Sequence, residues 1–428
     1  VIWRRALVAV ALLASAALAP AAGVLDFSAA ERALIASHGP WPLPPAHDAG
    51  NPVAGQPAAI AVGKRLFFER RLSADGSLSC ASCHVPALAF ADGRKRSKGR
   101  EILDRNAPSL LNAGHQRWLG WDGAADSLWS QAIRVMLDRR EFANSAGGLH
   151  ALVQGDAALA CDLRQAFGDT SQGTKSPEDP ESPDRTLVQL AQAIGAYVAS
   201  LQSPRTPFDA FRDALDAGDA AAAARYPLAA QRGLRIFIGK GRCQLCHSGA
   251  MFTNGEFADI GVPFFVRPGV VDPGRHGGIA ALKGSRYNLL GPWATLLDPA
   301  EATKTRHVAA EPRHFGEFKV PGLRHVAATA PYMHDGSLAT LDDVVGHYDR
   351  IDLERLHADG ERILVPLQLT PAERADLLAF LDSLGGPVVA PAGLGTDRPD
   401  ACRKAGVATA RSGPSRTESG VLPRRPAP

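Results

Sequence analysis

Apolar residues recur at three- and four-residue steps in two widely separated segments of the chain. Leu187, Leu190, Ile194, Val198 and Leu201 mark one face of a helix. Far downstream, Leu377, Leu378, Leu381 and Leu384 follow Thr370 at an N-cap position, Pro371 at the first helical position and Glu373 two later, a capping box. A shorter helix is expected from Ile60 to Arg70, where Ile60, Leu66 and Phe67 share a face and Gly63 interrupts it. Residues 22–55 contain Trp41-Pro42-Leu43-Pro44-Pro45 and predict an extended lead-in strap. Residues 144–148 predict a loop, 168–184 a polar, Pro-rich surface insertion, and 202–220 a linker before a second unit that starts near Ala222. Alternating strand patterns are scarce, so the fold class is mainly α, with long irregular loops.

Composition narrows the picture. A chain of 428 residues suits two domains with extensions. Its 45% hydrophobic and 21% charged residues exclude a disordered chain and a multi-span membrane protein. A net charge of +3 gives no ground for nucleic-acid binding. Residues 1–21 predict a secretory signal peptide: Arg4 and Arg5 precede an apolar run from Ala6 to Ala19, and Ala19-Pro20-Ala21 offers a cleavage site. That run is too short to span a bilayer. The mature protein is therefore expected in the periplasm and not within a membrane. At the other end, 387–428 turns to Pro, Ala, Gly, Ser and Arg and predicts a disordered tail.

The chemistry lies in the cysteines. Cys80-Ala81-Ser82-Cys83-His84 and Cys243-Gln244-Leu245-Cys246-His247 both match C-x-x-C-H. Two thiols add to the two vinyl groups of one haem, and the next residue, His, ligates its iron. Two C-x-x-C pairs could also hold zinc, but zinc does not require His directly after each second Cys. The motifs therefore predict two covalent c-type haems, in domains spanning 22–215 and 222–386. Cys161 and Cys402 remain unassigned.

A haem with two strong axial ligands transfers electrons, whereas one with an open face binds peroxide or oxygen. Only Met136, Met251 and Met333 could serve as methionine ligands. Met136 lies in an apolar segment and reads as core, and Met251 follows His247 too closely to reach the opposite face. The second haem thus lacks an obvious methionine.

Residues from about Gly55 to Gly385 resemble the bacterial dihaem cytochrome c peroxidases, and within them the MauG-like branch. The resemblance rests on Leu66-Phe67-Phe68, the first haem motif, Arg105-Asn106-Ala107-Pro108-Ser109-Leu110-Leu111-Asn112 and Trp121-Asp122-Gly123 through Leu128. It continues through the second haem motif, Lys319-Val320-Pro321-Gly322-Leu323-Arg324-His325 and Pro331-Tyr332-Met333-His334-Asp335-Gly336-Ser337. It implies two cytochrome c-like haem domains, the first peroxidatic and the second for electron transfer. Trp121 matches the tryptophan between the haems, Gln131 the glutamine of the distal pocket and Glu141 the distal acid. Asn106, Thr329 and Pro331 match positions that bind a calcium ion. Where the peroxidase branch has its methionine ligand, this chain has Tyr348, as in the MauG-like branch, with His347 adjacent as the other candidate. Where many peroxidases carry a blocking histidine, this chain has Arg100, so the first haem is expected to be open when oxidised; His115 is the one alternative blocking ligand. His325 and His334 read as structural or propionate contacts.

The residues suit those roles chemically. A carboxylate on the distal face moves the proton needed to cleave peroxide, and a glutamine hydrogen-bonds peroxide or water. A phenolate on iron lowers the potential, whereas a methionine raises it. The resemblance thus implies a periplasmic oxidoreductase that reduces hydrogen peroxide through high-valent haem iron, with electrons from a small cytochrome c, a cupredoxin or another redox protein. One alternative is a MauG-like enzyme that oxidises residues of a partner protein. The other is a dihaem electron carrier, with both irons six-coordinate.

Overall fold

The computed structural model describes residues 23–168, 182–263, 265–295, 299–352, 354, 363–387 and 402. The expected signal peptide, most of the 168–184 insertion and the 387–428 tail apart from Pro387 and Cys402 lie outside the described residues.

Among the described residues the fold is helix-rich. In chain order the first seven helices are α1 Ala29–Ser37, α2 Pro57–Phe68, α3 Leu128–Leu137, α4 Ala146–Gly155, α5 Ala157–Phe167, α6 Pro183–Ala199 and α7 Pro207–Asp216. Six follow: α8 Ala220–Ala223, α9 Leu228–Ile238, α10 Arg275–Gly284, α11 Thr303–His307, α12 Leu341–Asp349 and α13 Pro371–Asp382. The strands are β1 Phe257–Ala258, β2 Phe265–Arg267, β3 Val270–Val271 and β4 Phe318–Lys319; β1 pairs antiparallel with β4, and β2 with β3.

The helices expected from periodicity are present as α2, α6 and α13, the last with its Thr370–Glu373 capping box. Three expectations need correction. The lead-in strap contains α1, capped reciprocally by Ser28 and Glu31. The loop at 144–148 gives way at Ala146 to α4, capped by Ser145. The linker at 202–220 is largely α7, opened by a Thr206–Asp209 capping box and Pro207. These helices are short, and a nine- or ten-residue helix acquires its stability from the face it buries, which periodicity alone does not reveal.

Two apolar cores form. The first gathers Leu66 and Phe67 of α2, Trp129 and Ile133 of α3, and Leu190 and Ile194 of α6. The second gathers Phe237 of α9, Phe380 of α13 and Phe252, together with Ile35 of α1 and Phe208 and Phe211 of α7. Leu289 and Trp293 return to the first core. Packing therefore does not change hands at the expected boundary of 215–222: among the described residues the chain crosses between cores four times.

An internal repeat relates the two halves. Pro108 is followed by Asn112, Trp121-Asp122-Gly123 and the N-cap Ser127; Pro321 is followed at the same intervals by His325, His334-Asp335-Gly336 and the N-cap Thr340. Asn112 and His325 both adopt positive φ, 62° and 60°. In each half a helix before the haem motif crosses a later helix at a glycine. A methyl group on Gly63 would lie 1.8 Å from the Ala193 carbonyl oxygen, and one on Gly233 would lie 1.9 Å from that of Asp376. No other residue permits such approaches of α2 to α6 and of α9 to α13.

The halves grip each other through their Asp-Gly turns. Gly336 lies against the backbone of Lys95, and Gly123 lies against Arg275 and Phe257. Arg105 bridges the seam, bonding Asp122 at 2.7 Å and both oxygens of Asp272 at 2.7 Å.

Candidate active site

Each C-x-x-C-H segment forms one turn of 3-10 helix, Cys80–Ser82 and Cys243–Leu245, after which the histidine N–H donates to the first cysteine carbonyl at 2.9 Å in both halves. This brings two thiols and an imidazole to one side of the backbone. The His84 Nδ1 lies 3.1 Å from the Phe90 carbonyl, and the His247 Nδ1 lies 3.0 Å from that of Phe252. A carbonyl only accepts, so Nδ1 carries the proton in each ring and Nε2 keeps its lone pair for a metal. Burial holds both histidines below their ordinary range and therefore neutral, the state that ligates. Among the described residues the four motif cysteines are free, while Cys161 pairs with Cys402.

A cavity of about 1240 Å³ opens beside the second motif. Cys243, Cys246 and His247 line it, as do Trp121, Met333 and Tyr348. Four free thiols and two imidazoles with the correct tautomer fit two covalent haems, and the cavity offers space at the second motif. Tyr348 of α12 lines the cavity, whereas His347 turns its Nε2 to the Ile260 carbonyl at 2.8 Å. Met136 is core, 1% exposed. Met251 and Met333 both line the cavity.

Trp121 is clamped between the halves. Its Nε1 donates to the Asn106 carbonyl at 2.9 Å, and its own carbonyl accepts from the Lys319 N–H at 2.8 Å. Gln131 on α3 turns its side-chain oxygen toward Gly120, the residue before Trp121. Glu141, just beyond α3, lies within electrostatic reach of Cys80 and Cys83. Burial and the Asp138 carboxylate push its own pKa up to about 7. The loop after the first haem motif rests on the next turn, with the N–H groups of Arg100 and Glu101 both donating to the Arg140 carbonyl. The Arg100 side chain pairs with Asp75 at 2.5 Å. His115 packs edge-on to Trp41, with Gln202 3.5 Å from its Nε2.

Asn106, Thr329 and Pro331 also border the cavity. The Asn106 amide faces the Arg94 carbonyl at 2.8 Å and the Pro331 carbonyl at 3.4 Å. His334 is buried, stacked on Phe318 at 3.5 Å, and lines the cavity. His325 is buried, and its backbone N–H bonds the Leu384 carbonyl.

Two parts of the site were not singled out in the sequence. His38, fully buried, stacks on Phe252 at 4.5 Å and bonds the Gly249 carbonyl, so the lead-in segment reaches the neighbourhood of His247. Asp209 of α7 accepts two 2.9 Å hydrogen bonds from Arg324, whose guanidinium lies 3.6 Å from the centre of the Trp41 ring. Trp41 and Arg324 both fell in quoted motifs, but nothing local marks α7 as their partner.

Two C-x-x-C-H turns, each with a Nε2 left free, define a dihaem c-type protein, an oxidoreductase by its haem iron. The profile of the di-haem cytochrome c peroxidases matches residues 57–216. Cytochrome-c peroxidase IdrP1 of Denitromonas iodatirespirans is 33% identical over 80% of this chain and 85% of its own length. Methylamine utilization protein MauG of Methylorubrum extorquens is 31% identical over 79% and 80%. A crystal structure of a MauG-like protein associated with microbial copper homeostasis superposes with a TM-score of 0.59 at 28% identity, covering 82% of this chain and 98% of that one. The diheme peroxidase BthA of Burkholderia thailandensis, 24% identical, shares the fold with a TM-score of 0.58 over 79% of this chain and 89% of its own. This chain belongs to the di-haem cytochrome c peroxidase family.

Proposed function

We propose that the protein reduces hydrogen peroxide at the first haem site, beside Cys80, Cys83 and His84, using electrons from a redox protein that reach it through the second haem unit and Trp121. The observation that carries this reading is Glu141: a buried carboxyl beside the first haem motif, poised near pH 7, is suited both to accept and to return a proton. When bound, the haems supply the redox-active iron. The chain's own residues do the rest. His84 and His247 hold the irons, and Glu141 takes the proton from the near peroxide oxygen and delivers it to the far one. Gln131 orients peroxide or water by hydrogen bonding. Each half is read as one cytochrome c-like unit.

No histidine stands at position 100, and Arg100 is held by Asp75, which favours an open first site in the oxidised protein. Tyr348 lines the cavity beside the second motif while His347 is tied to Ile260, which favours a tyrosine opposite His247. That arrangement gives a second reading, MauG-like oxidation of a partner protein, its specific support. Asn106, Thr329 and Pro331, which all border the cavity, form a candidate calcium site on the family resemblance; a side-chain amide oxygen and backbone carbonyls of this kind suit calcium. The Cys161–Cys402 disulfide supports a location outside the cytoplasm, in the periplasm.

The test is the optical spectrum of the haem-loaded, fully ferric protein before and after one equivalent of hydrogen peroxide. A prompt change without reductant supports an open first site. Reactivity that appears only after one-electron reduction means a ligand such as His115 closes it. Inertness in both states overturns the peroxidatic reading in favour of an electron carrier.

A further inference from the structure

Residues 94–105 carry Arg94, Lys95, Arg96, Lys98, Arg100 and Arg105 against Glu101 and Asp104, net +4 in twelve residues of a chain whose total is +3. Some of these cations are already engaged. Arg100 pairs with Asp75, Arg105 with Asp122 and Asp272, and Arg96 donates to the Val266 carbonyl. Arg94, Lys95 and Lys98 are exposed, and none of the ion pairs among the described residues uses them. Arg139, exposed on the turn against which this loop rests, adds a fourth such cation.

The loop lies at the edge of the first haem site. The Lys98 carbonyl is 3.8 Å from the Cys83 sulfur, the atom that would carry one thioether. Apolar side chains stand among the cations. Leu88 packs beside Gly93 and is 43% exposed, Ile102 on the loop is 68% exposed, and Leu137 at the end of α3 is 36% exposed. These are three of the nine large exposed apolar side chains among the described residues. An apolar centre with a charged rim is the anatomy of a protein interface, and unpaired cations of one sign steer an anionic partner from a distance. A small anion has no use for the apolar centre.

We propose that this face, formed by the 94–102 loop, Leu88 and the end of α3, is a docking surface for an acidic redox protein that delivers electrons beside Cys83. It rests on the reading above. Two reduced donors each give one electron, and with two protons one hydrogen peroxide becomes two waters. Electrons then have a direct entry at the first haem unit in addition to the route through the second.

The test uses the haem-loaded protein and two probes of opposite charge, an acidic plastocyanin and a lysine-rich mitochondrial cytochrome c. Binding to the ferric protein is measured by calorimetry without peroxide, and donor oxidation is followed optically after peroxide is added. The acidic probe should bind and react faster at low salt, with a rate that falls about tenfold on going to physiological ionic strength. The double variant Lys95→Glu, Lys98→Glu should lower the low-salt rate about tenfold and flatten the salt dependence. Arg94→Glu with Arg139→Glu should do the same by an independent pair. The spectral response to peroxide alone should stay unchanged in both, and Lys283→Glu, an exposed charge reversal on α10, should have little effect. A salt-independent rate, faster reaction of the lysine-rich probe, or an equal loss in Lys283→Glu overturns the proposal. So does tighter binding to phosphatidylglycerol vesicles that the double variant abolishes, which makes the face a membrane contact. Salt-sensitive plastocyanin binding lost in the double variant, in a protein inert to peroxide, sustains the docking surface and sinks the peroxidase reading.

Discussion

Glu141 concentrates the chemistry in one side chain. Its carboxyl is pushed up to about 7 by burial, so it is half ionised near neutrality and must be deprotonated to accept a peroxide proton. The rate of the peroxide reaction should therefore rise with pH through a midpoint near 7 and level above it, as read by stopped-flow absorbance. Glu141→Gln should remove that midpoint and slow the reaction by roughly 10²–10⁴. Tyr348 makes a separable prediction. Replacing a phenolate ligand by a thioether raises a haem potential, so Tyr348→Met should shift the second haem upward in a spectroelectrochemical titration, while His347→Gln leaves it near its original value. An equal shift in both variants would count against Tyr348. The identities of these residues were legible through the family resemblance, whereas their environments were not. Nothing in the sequence around Glu141 announces that it is buried, and nothing separates Tyr348 from His347 except the helix face each occupies.

Helices are placed here by close contact. Gly63 and Gly233 let α2 and α9 press against the backbones of α6 and α13, and the haem motifs follow within a few residues of those crossings. Gly63→Ala should force the helices apart and cost about 1–3 kcal/mol, visible as a lower thermal midpoint with a matched shift in the haem absorption. The sequence showed Gly63 only as an interruption in a helical pattern, because its reason is a carbonyl 130 residues away. Helix α7 teaches the same lesson. Its capping box was present in the sequence, yet the segment reads as a linker until Phe208 and Phe211 find the second core. The buried Asp209–Arg324 pair ties α7 to the second motif region. Burial alone would raise Asp209, but the Arg324 and Thr206 hydrogen bonds hold it below its ordinary value. A carboxylate lowered on folding contributes stability above its unfolded pKa and loses it as pH falls through the folded one, so this contact weakens below about pH 4. Asp209→Ala strands a buried guanidinium and should cost about 3–5 kcal/mol in denaturant unfolding.

Across the molecule the two halves are joined by packing, by Arg105 and by one covalent link. Cys161 of α5 and Cys402 close a loop of 241 residues that contains all of the second core except Phe27 and Ile35 of the α1 segment. Cys402→Ser should lower stability by about 2–5 kcal/mol, and reductant should destabilise the parent but not the variant. Thermal unfolding of both, with and without reductant, separates a staple from a bystander. The same pairing removes the two non-haem thiols from competition with the four that attach haem.

The sequence alone determined the chemistry that is local along the chain. Two five-residue motifs define two haem sites, and a capping box or a long amphipathic stripe defines a helix, because every atom involved lies within a few residues. The fold decided whatever depends on contacts between distant segments. It sorted α1 and α7 into the second core, turned His347 away and Tyr348 toward the cavity, and brought Cys402 to Cys161. It also set Trp121 between the carbonyl of Asn106 and the N–H of Lys319. Burial and partner choice are properties of the packed surface, and a short segment carries no record of what will cover it.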